Sequence, residues 1–178
     1  MFKTISSMVI AVLGLSFGII AQSVVPDSGT ARLESRRADK QSGEDNYIYA
    51  TYSFEKAANG PSGFAATRND WDILFSTIRA ADGKVVKDIF DVTMVTDDRS
   101  RILDLGENQL TQVFDLPPLP AFEKPGRERS VEAVIGHVYL VHTADSNSDL
   151  YTLFRLDELK RGESAVISWK HIEPPISK

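Results

Sequence analysis

The chain contains no cysteine in its 178 residues. No disulfide can therefore stabilise the fold, no thiol can act as a nucleophile, and no lipid can be attached to an N-terminal cysteine. The folded protein must be stabilised by its hydrophobic core alone. An exported protein without cysteine is more typical of a bacterial periplasm or exterior than of a eukaryotic secretory route, where small domains usually use disulfides.

The sequence also lacks the short motifs that mark common catalytic sites. It has no G-x-S-x-G nucleophile elbow, no glycine-rich phosphate loop, no zinc-ligand spacing and no internal repeat. Aspartate and glutamate are plentiful, at 25 residues, and two of them could act as an acid and base pair. Such a pair depends on the fold, so the sequence assigns no catalytic residue and favours a protein that is not an enzyme.

Neither sign of charge is in large excess, since 20 basic residues face 25 acidic ones and the net charge is −5. A mildly acidic chain is typical of a soluble protein. This balance argues against nucleic acid or an anionic membrane surface as the partner, and leaves a protein or a glycan as the candidates.

A long apolar run occurs only at the N-terminus, where residues 8–21 follow Lys3. This run is 14 residues long, against the roughly 20 that span a bilayer, and small or polar residues follow it. The order is that of a secretory signal peptide, residues 1–21, cleaved after Ala21, with cleavage after Ser23 as the neighbouring option. The sequence therefore predicts a secreted or periplasmic protein, with a retained membrane anchor as the weaker alternative.

Residues 22–46 are polar, rich in small residues and without a hydrophobic period. A segment with so little apolar surface cannot offset the entropy lost on ordering. We expect a flexible polar leader here, and an ordered β-domain over residues 47–175.

The clearest pattern lies in residues 134–172, where three apolar alternating segments are separated by two polar turns. This pattern predicts a three-stranded antiparallel meander. With Thr143 opposite Leu150 and Asp157 opposite Ser164, Phe154 lies between Tyr139 and Ile167. One face then forms the core, from His137, Tyr139, Val141, Thr152, Phe154, Leu156, Ala165, Ile167 and Trp169. The other face is mixed, and we expect it to be only partly covered.

Further strands are predicted over residues 47–54, 71–78, 89–95 and 101–105, with a hairpin turn at Asp82-Gly83. Residues 84–95 are ambiguous, because Val85, Val86, Ile89 and Phe90 also fit a helical turn. Residues 108–114 fit either a helical turn or a strand. The proline-rich residues 116–130 cannot lie inside a sheet, so we interpret them as a connector across the outside of the domain. Seven or eight short strands predict an all-β fold, either a single β-sandwich or an open barrel. Two small subdomains, residues 47–116 and 130–172, are the alternative.

Two sets of side chains have donor atoms that could bind a metal ion. The three histidines cannot meet at one ion, because His137 and His142 point to opposite faces of one strand and His171 lies far along the sheet. Asp145, Asn147 and Asp149 have the D-x-N-x-D spacing of many calcium loops, but Leu150 stands where such loops need glycine. Calcium therefore remains possible at these three residues, and an ordinary turn is the alternative.

The candidate binding residues come from the long loop at residues 55–70 and from aromatic residues that alternation places outward. They are Asn59 and Arg68 in the loop, and Tyr49 and Tyr151 as exposed rings. The leading hypothesis is an exported, non-enzymatic β-domain that binds a protein, a glycan or a cell-surface component. The alternative is a secreted hydrolase that uses carboxylates or a metal.

Overall fold

A computed structural model describes residues 26–37, 46–60, 71–92, 100–112, 116, 129–144 and 148–175. These residues form a β-sandwich of two antiparallel five-stranded sheets, which confirms the predicted all-β class. Ten strands lie in the described part of the chain, two or three more than predicted. The predicted signal peptide at residues 1–21 and Arg68 lie outside the described residues.

The first sheet has the order β1-β10-β9-β8-β6. Its strands are β1 (Ser28–Glu34), β6 (Arg101–Glu107), β8 (His137–Ala144), β9 (Asp149–Lys160) and β10 (Ser164–Ile172). The last three strands are consecutive and pair as neighbours, so the predicted meander is confirmed.

The second sheet has the order β3-β2-β4-β5-β7. Its strands are β2 (Thr51–Ser53), β3 (Ala58–Asn59), β4 (Ile73–Arg79), β5 (Val85–Asp91) and β7 (Ser130–Glu132). The predicted turn at Asp82-Gly83 joins β4 to β5, and Gly83 has φ of +83°, which glycine adopts without strain. The return strand begins at Val85, four residues earlier than predicted.

The prediction of a flexible leader is wrong for residues 28–34, which form β1 and pair with β10 along their full length. Leu33 and Ala31 point into the core, while every other residue of the strand is exposed or half-buried. As an edge strand, β1 buries only two side chains. Its sequence therefore resembles that of a polar linker.

The predicted strand at residues 47–54 is also partly wrong, because Tyr47–Ala50 forms the short helix α1 and only Thr51–Ser53 is strand. The amides of Tyr49 and Ala50 both donate to the Asn46 carbonyl oxygen, at 2.9 and 3.2 Å. Tyr47 packs with Trp71, and Ala50 is fully buried. These contacts outweigh the preference of aromatic residues for strands.

The core between the sheets is built around aromatic rings from both of them. Phe154 stacks on Tyr139 at 4.9 Å between ring centroids and on Phe54 at 6.1 Å, and its ring meets Phe90 edge-on at 4.9 Å. All four side chains are fully buried. Offset and edge-on pairs of this kind stabilise a core beyond the area they bury.

The predicted register of the meander is correct between β8 and β9, where Thr143 faces Leu150 and Tyr139 faces Phe154. Between β9 and β10 it is wrong, since Ser164 pairs with Lys160 and Phe154 faces Trp169. A bulge between Val166 and Ile167 makes the strand register skip Asp157, so that no residue of β10 lies directly opposite it. The shift at Phe154 is two residues, so the assignment of side chains to faces is still correct.

The outer face of the first sheet is more deeply buried than predicted. Val138 and Leu140 are fully buried there, and Leu153 is nearly so. Leu110 and Leu116, which follow β6, pack against these residues as part of a second apolar cluster. Residues 108–112 form no strand. They instead help to cover this face.

Candidate functional site

Tyr49 lies on the surface at the end of α1, with 56% of its surface exposed, as predicted. The single turn of helix that carries it is held by backbone bonds to Asn46 and by a 2.9 Å hydrogen bond from the Thr51 hydroxyl to the Tyr47 carbonyl oxygen. The backbone under the exposed ring is therefore well supported.

The support continues beneath α1. Tyr47 meets Trp71 edge-on at 5.9 Å, and the Arg36 guanidinium lies 5.1 Å from the centre of the Tyr47 ring. The Asn46 side chain donates to the Ser35 carbonyl oxygen at 3.0 Å and accepts from the Arg37 amide at 2.6 Å. Thus α1 is anchored to the segment that follows β1.

Asn59, a predicted binding residue, connects the two sheets at their edge. Its side-chain amide donates to the carbonyl oxygen of Arg32 on β1 at 3.1 Å and to that of Thr51 on β2 at 3.4 Å. These bonds give Asn59 a structural role at the edge of the sandwich. Its role in binding stays a prediction.

Tyr151 is buried, with 4% of its surface exposed, so the prediction of an exposed ring is wrong. Its ring stacks on His142, with 4.0 Å between centroids and 10° between planes. Tyr151 belongs to the second apolar cluster, which Leu110 and Leu116 help to cover. The sequence could not reveal this cover, because it comes from a segment more than 30 residues away.

Of the three residues predicted for calcium, Asp145 and Asn147 lie outside the described residues. Asp149 begins β9, and its Oδ1 lies 2.8 Å from His142 Nε2. Within the described ranges, no group of three or more potential metal ligands is close enough to hold an ion. The calcium site remains a prediction.

Each histidine has a different partner. His142 pairs with Asp149, and His171 Nδ1 hydrogen-bonds the Thr152 hydroxyl at 3.0 Å. His137 Nδ1 lies 3.0 Å from both carboxylate oxygens of Asp104, and both side chains are about 70% buried. The ring of His137 is therefore oriented by a carboxylate, while Nε2 has no hydrogen-bond partner among the described residues.

The buried hydroxyls of Tyr52 and Tyr139 serve the core. Burial raises the pKa of Tyr139 above the ordinary 10.0, against the opposing effect of a hydrogen bond from the Val134 amide. Burial likewise raises the pKa of Tyr52, against the effect of its bond to Trp169. Both tyrosines are thus held in their neutral form, and their hydroxyls have partners within the protein.

Asp88 is a buried carboxylate that the sequence did not single out. It is 3% exposed, and it accepts bonds from the Gly162 amide at 3.1 and 3.2 Å and from the Thr77 hydroxyl at 2.5 Å. Gly162 is in the turn between β9 and β10, so these bonds join the two sheets. Because its oxygens have several donors, we assign Asp88 a structural role.

Arg101 is the most unusual polar residue in the described part of the chain. It is 6% exposed, and its Nη1 donates to the carbonyl oxygen of Ser100 at 2.6 Å. Its Nε is buried without a hydrogen-bond partner, and it has no ion pair with any described residue. The sequence contained a signal, since Arg101 alternates in phase with Leu103 and Leu105, the apolar residues of its strand.

Comparisons with protein-family models, with curated proteins and with solved structures found no match to this chain. No helix in the described ranges is both long and apolar enough to cross a membrane. The function must therefore be argued from the geometry of the candidate residues themselves.

Proposed function

We propose that this protein is an exported, non-enzymatic β-sandwich domain that binds a protein, a glycan or another component of the cell surface. The observation that carries the proposal is the exposed ring of Tyr49 on a well-supported turn. Large apolar side chains at 40% exposure or more are few in the described residues, and Tyr49 is the only aromatic among them.

The support beneath Tyr49 favours binding for an energetic reason. Association loses free energy when flexible side chains and loops become ordered. Tyrosine has few rotatable bonds and presents a large amphipathic surface, so it loses little entropy when it contacts a partner. Because α1 is already fixed by Asn46, Trp71 and Thr51, this contact requires little rearrangement of the backbone.

Export is supported by the sequence alone. The basic start, the short apolar run and Ala21 have the order of a cleaved signal peptide. The absence of cysteine favours a bacterial periplasm or exterior over a eukaryotic secretory route. An exported domain meets components of the cell envelope and of the cell surface. We therefore propose such a component as the class of partner.

The proposal can be tested by measuring binding to purified cell-envelope polysaccharides and to purified surface proteins by calorimetry. The test variant is Tyr49→Ala. The matched control is Val86→Ala, because Val86 is also an exposed apolar residue, at 53%, but lies on the β4–β5 hairpin. We expect Tyr49→Ala to weaken binding at least about tenfold, with Val86→Ala close to wild type. Equal affinity of the two variants, or no binding to any component, would overturn the proposal.

The alternative, a secreted hydrolase, is supported by one feature, the Asp104–His137 pair. A histidine oriented by a carboxylate, with its other nitrogen available, has the arrangement of a general base. The pair can be tested with chromogenic esters and glycosides. Turnover that is lost in His137→Gln would establish an enzyme, whereas our proposal expects no turnover above the buffer rate in either protein.

A further inference from the structure

We propose that Arg101 and His142 form a binding site for an oxyanion group, either a carboxylate or a phosphate, on the outer face of the first sheet. The two residues are directly opposite each other in the β6–β8 pairing, so their side chains are neighbours on the same face. Each presents an unused polar nitrogen in a buried position.

Arg101 supplies the positive charge. Its Nη1 donates a hydrogen bond to the Ser100 carbonyl oxygen. The edge formed by Nε and Nη2 has no acceptor among the described residues. This edge carries two parallel N–H donors, whose geometry matches two oxygens of a carboxylate or phosphate. A guanidinium cannot lose its charge at ordinary pH, so its burial without an anion is unfavourable.

His142 supplies the second contact. Its Nε2 faces the Asp149 carboxylate at 2.8 Å and therefore carries a proton, which leaves Nδ1 buried and without a partner. In the neutral ring Nδ1 can accept a hydrogen bond from a protonated oxygen of a ligand, and in the charged ring it can donate one. The stack on Tyr151 holds the ring in place.

The surroundings strengthen the attraction for an anion. Leu103 and Leu140 lie next in line along β6 and β8, on the same face as Arg101 and His142. Apolar neighbours lower the local dielectric constant, so a charge–charge interaction is stronger there than at an open surface. Asp149 is the carboxylate beside His142, but its side chain is 80% exposed and it forms no ion pair with Arg101.

This site is independent of the proposed function. Tyr49 belongs to α1, which packs with Leu74 of the second sheet, whereas Arg101 and His142 lie on the first sheet, on the face turned away from the core. The two proposals can therefore fail separately.

The first test is a titration of the purified protein with sodium phosphate and with sodium acetate, up to about 20 mM. Sodium chloride keeps the ionic strength constant, and low concentrations avoid the general stabilisation that phosphate gives to any protein. We expect phosphate, acetate or both to raise the melting temperature in a saturable way, because a ligand of the folded state stabilises it. The more effective salt identifies the group that the site prefers.

The second test removes the charge. Arg101→Met should lower the affinity for the anion roughly 10- to 100-fold. The anion-dependent rise in melting temperature should therefore disappear over the concentrations used. The matched control is Arg155→Met, since Arg155 lies on the same sheet and is partly buried but is paired with Asp157 at 2.6 Å. It should retain the anion-dependent rise. His142→Phe keeps a ring to stack on Tyr151 and should weaken anion binding without abolishing it.

A direct readout does not depend on the stability of any variant. The Arg101 Nε–H resonance in a nitrogen-edited NMR spectrum should move during the titration, whereas that of Arg155 should not. Without added anion, Arg101→Met should melt no lower than wild type, because it removes a buried charge that has no ion pair with any described residue. The proposal is wrong if the resonance is insensitive to both anions, or if Arg101→Met keeps the wild-type response.

Discussion

Trp169 on β10 donates a hydrogen bond of 3.1 Å from its indole Nε1 to the hydroxyl of Tyr52 on β2, and this bond joins the two sheets inside the core. Both residues are nearly fully buried. Their rings also lie 6.1 Å apart between centroids. A polar bond thus links the sheets among apolar and aromatic contacts, and removing one partner should have a measurable effect.

We expect Tyr52→Phe to lower the free energy of unfolding by about 1–3 kcal/mol, because the buried indole N–H of Trp169 would lose its acceptor. Urea unfolding followed by tryptophan fluorescence measures this change. Tyr49→Phe is the control, since the Tyr49 ring is exposed, and it should stay within about 0.5 kcal/mol of wild type. A neutral Tyr52→Phe would mean that the bond does not contribute to stability.

Truncation of Phe154 should be among the most damaging changes in the core. Phe154→Ala should cost about 3–5 kcal/mol, since the fully buried ring contacts Tyr139, Phe54 and Phe90. Arg155→Ala, on the opposite face, should cost about 1–2 kcal/mol through its bonds to Asp157 and to the Asn108 carbonyl oxygen. Denaturant melts that ranked Arg155→Ala as the worse variant would show that the two faces are reversed.

Strand β1 should contribute strongly to the stability of the fold, whereas a flexible leader would contribute little. Leu33→Ala should cost about 2–5 kcal/mol, because the Leu33 side chain is fully buried in the core. The next residue on the same strand, Glu34, is exposed, so Glu34→Ala should stay within about 0.5 kcal/mol of wild type. Thermal melts of the two variants test this prediction. Equal melting temperatures would show that β1 does not pack against the core.

Alkaline pH should destabilise the protein through Tyr139. Burial raises the folded-state pKa above 10.0, so this tyrosine's contribution is fully present below pH 10 and is lost as pH rises from there through the folded pKa. Tyr52 acts in the same direction. Denaturant melts from pH 8 to 11 should therefore show falling stability above pH 10. This decline should be smaller in Tyr139→Phe, and smaller again in Tyr52→Phe/Tyr139→Phe.

The same Tyr139→Phe variant should be less stable than wild type at neutral pH. The hydroxyl accepts from the Val134 amide at 2.8 Å and donates to the Glu132 carbonyl oxygen at 3.0 Å, and both bonds would be lost. We expect a cost of about 1–3 kcal/mol at pH 7. An alkaline decline as steep as in wild type would show that other groups cause it.

Export should remove residues 1–21, so the exported polypeptide should begin at Gln22, or close to it. Intact-mass measurement of the protein outside the cytoplasm checks this cleavage. A membrane-bound form that still contains Met1 would show that the apolar run is an anchor and that the proposed localisation is wrong.

The sequence by itself determined the all-β class and the three-stranded meander. Successive side chains on each strand of the meander point to opposite faces, and this alternation depends only on the two-residue period of a strand. The placement of Tyr139, Phe154 and Trp169 on one face follows from parity alone. It survived the two-residue error in register between β9 and β10, because an even shift leaves each side chain on its own face.

Only the tertiary structure shows which strands pair across long sequence distances, and which side chains are buried because a distant segment covers them. Leu33 is core because β1 pairs with β10, more than 130 residues away, and Tyr151 is buried because the segment after β6 contributes to its cover. A local pattern shows which residues share a face. It cannot show what lies over that face, because burial is decided by contacts between distant parts of the chain.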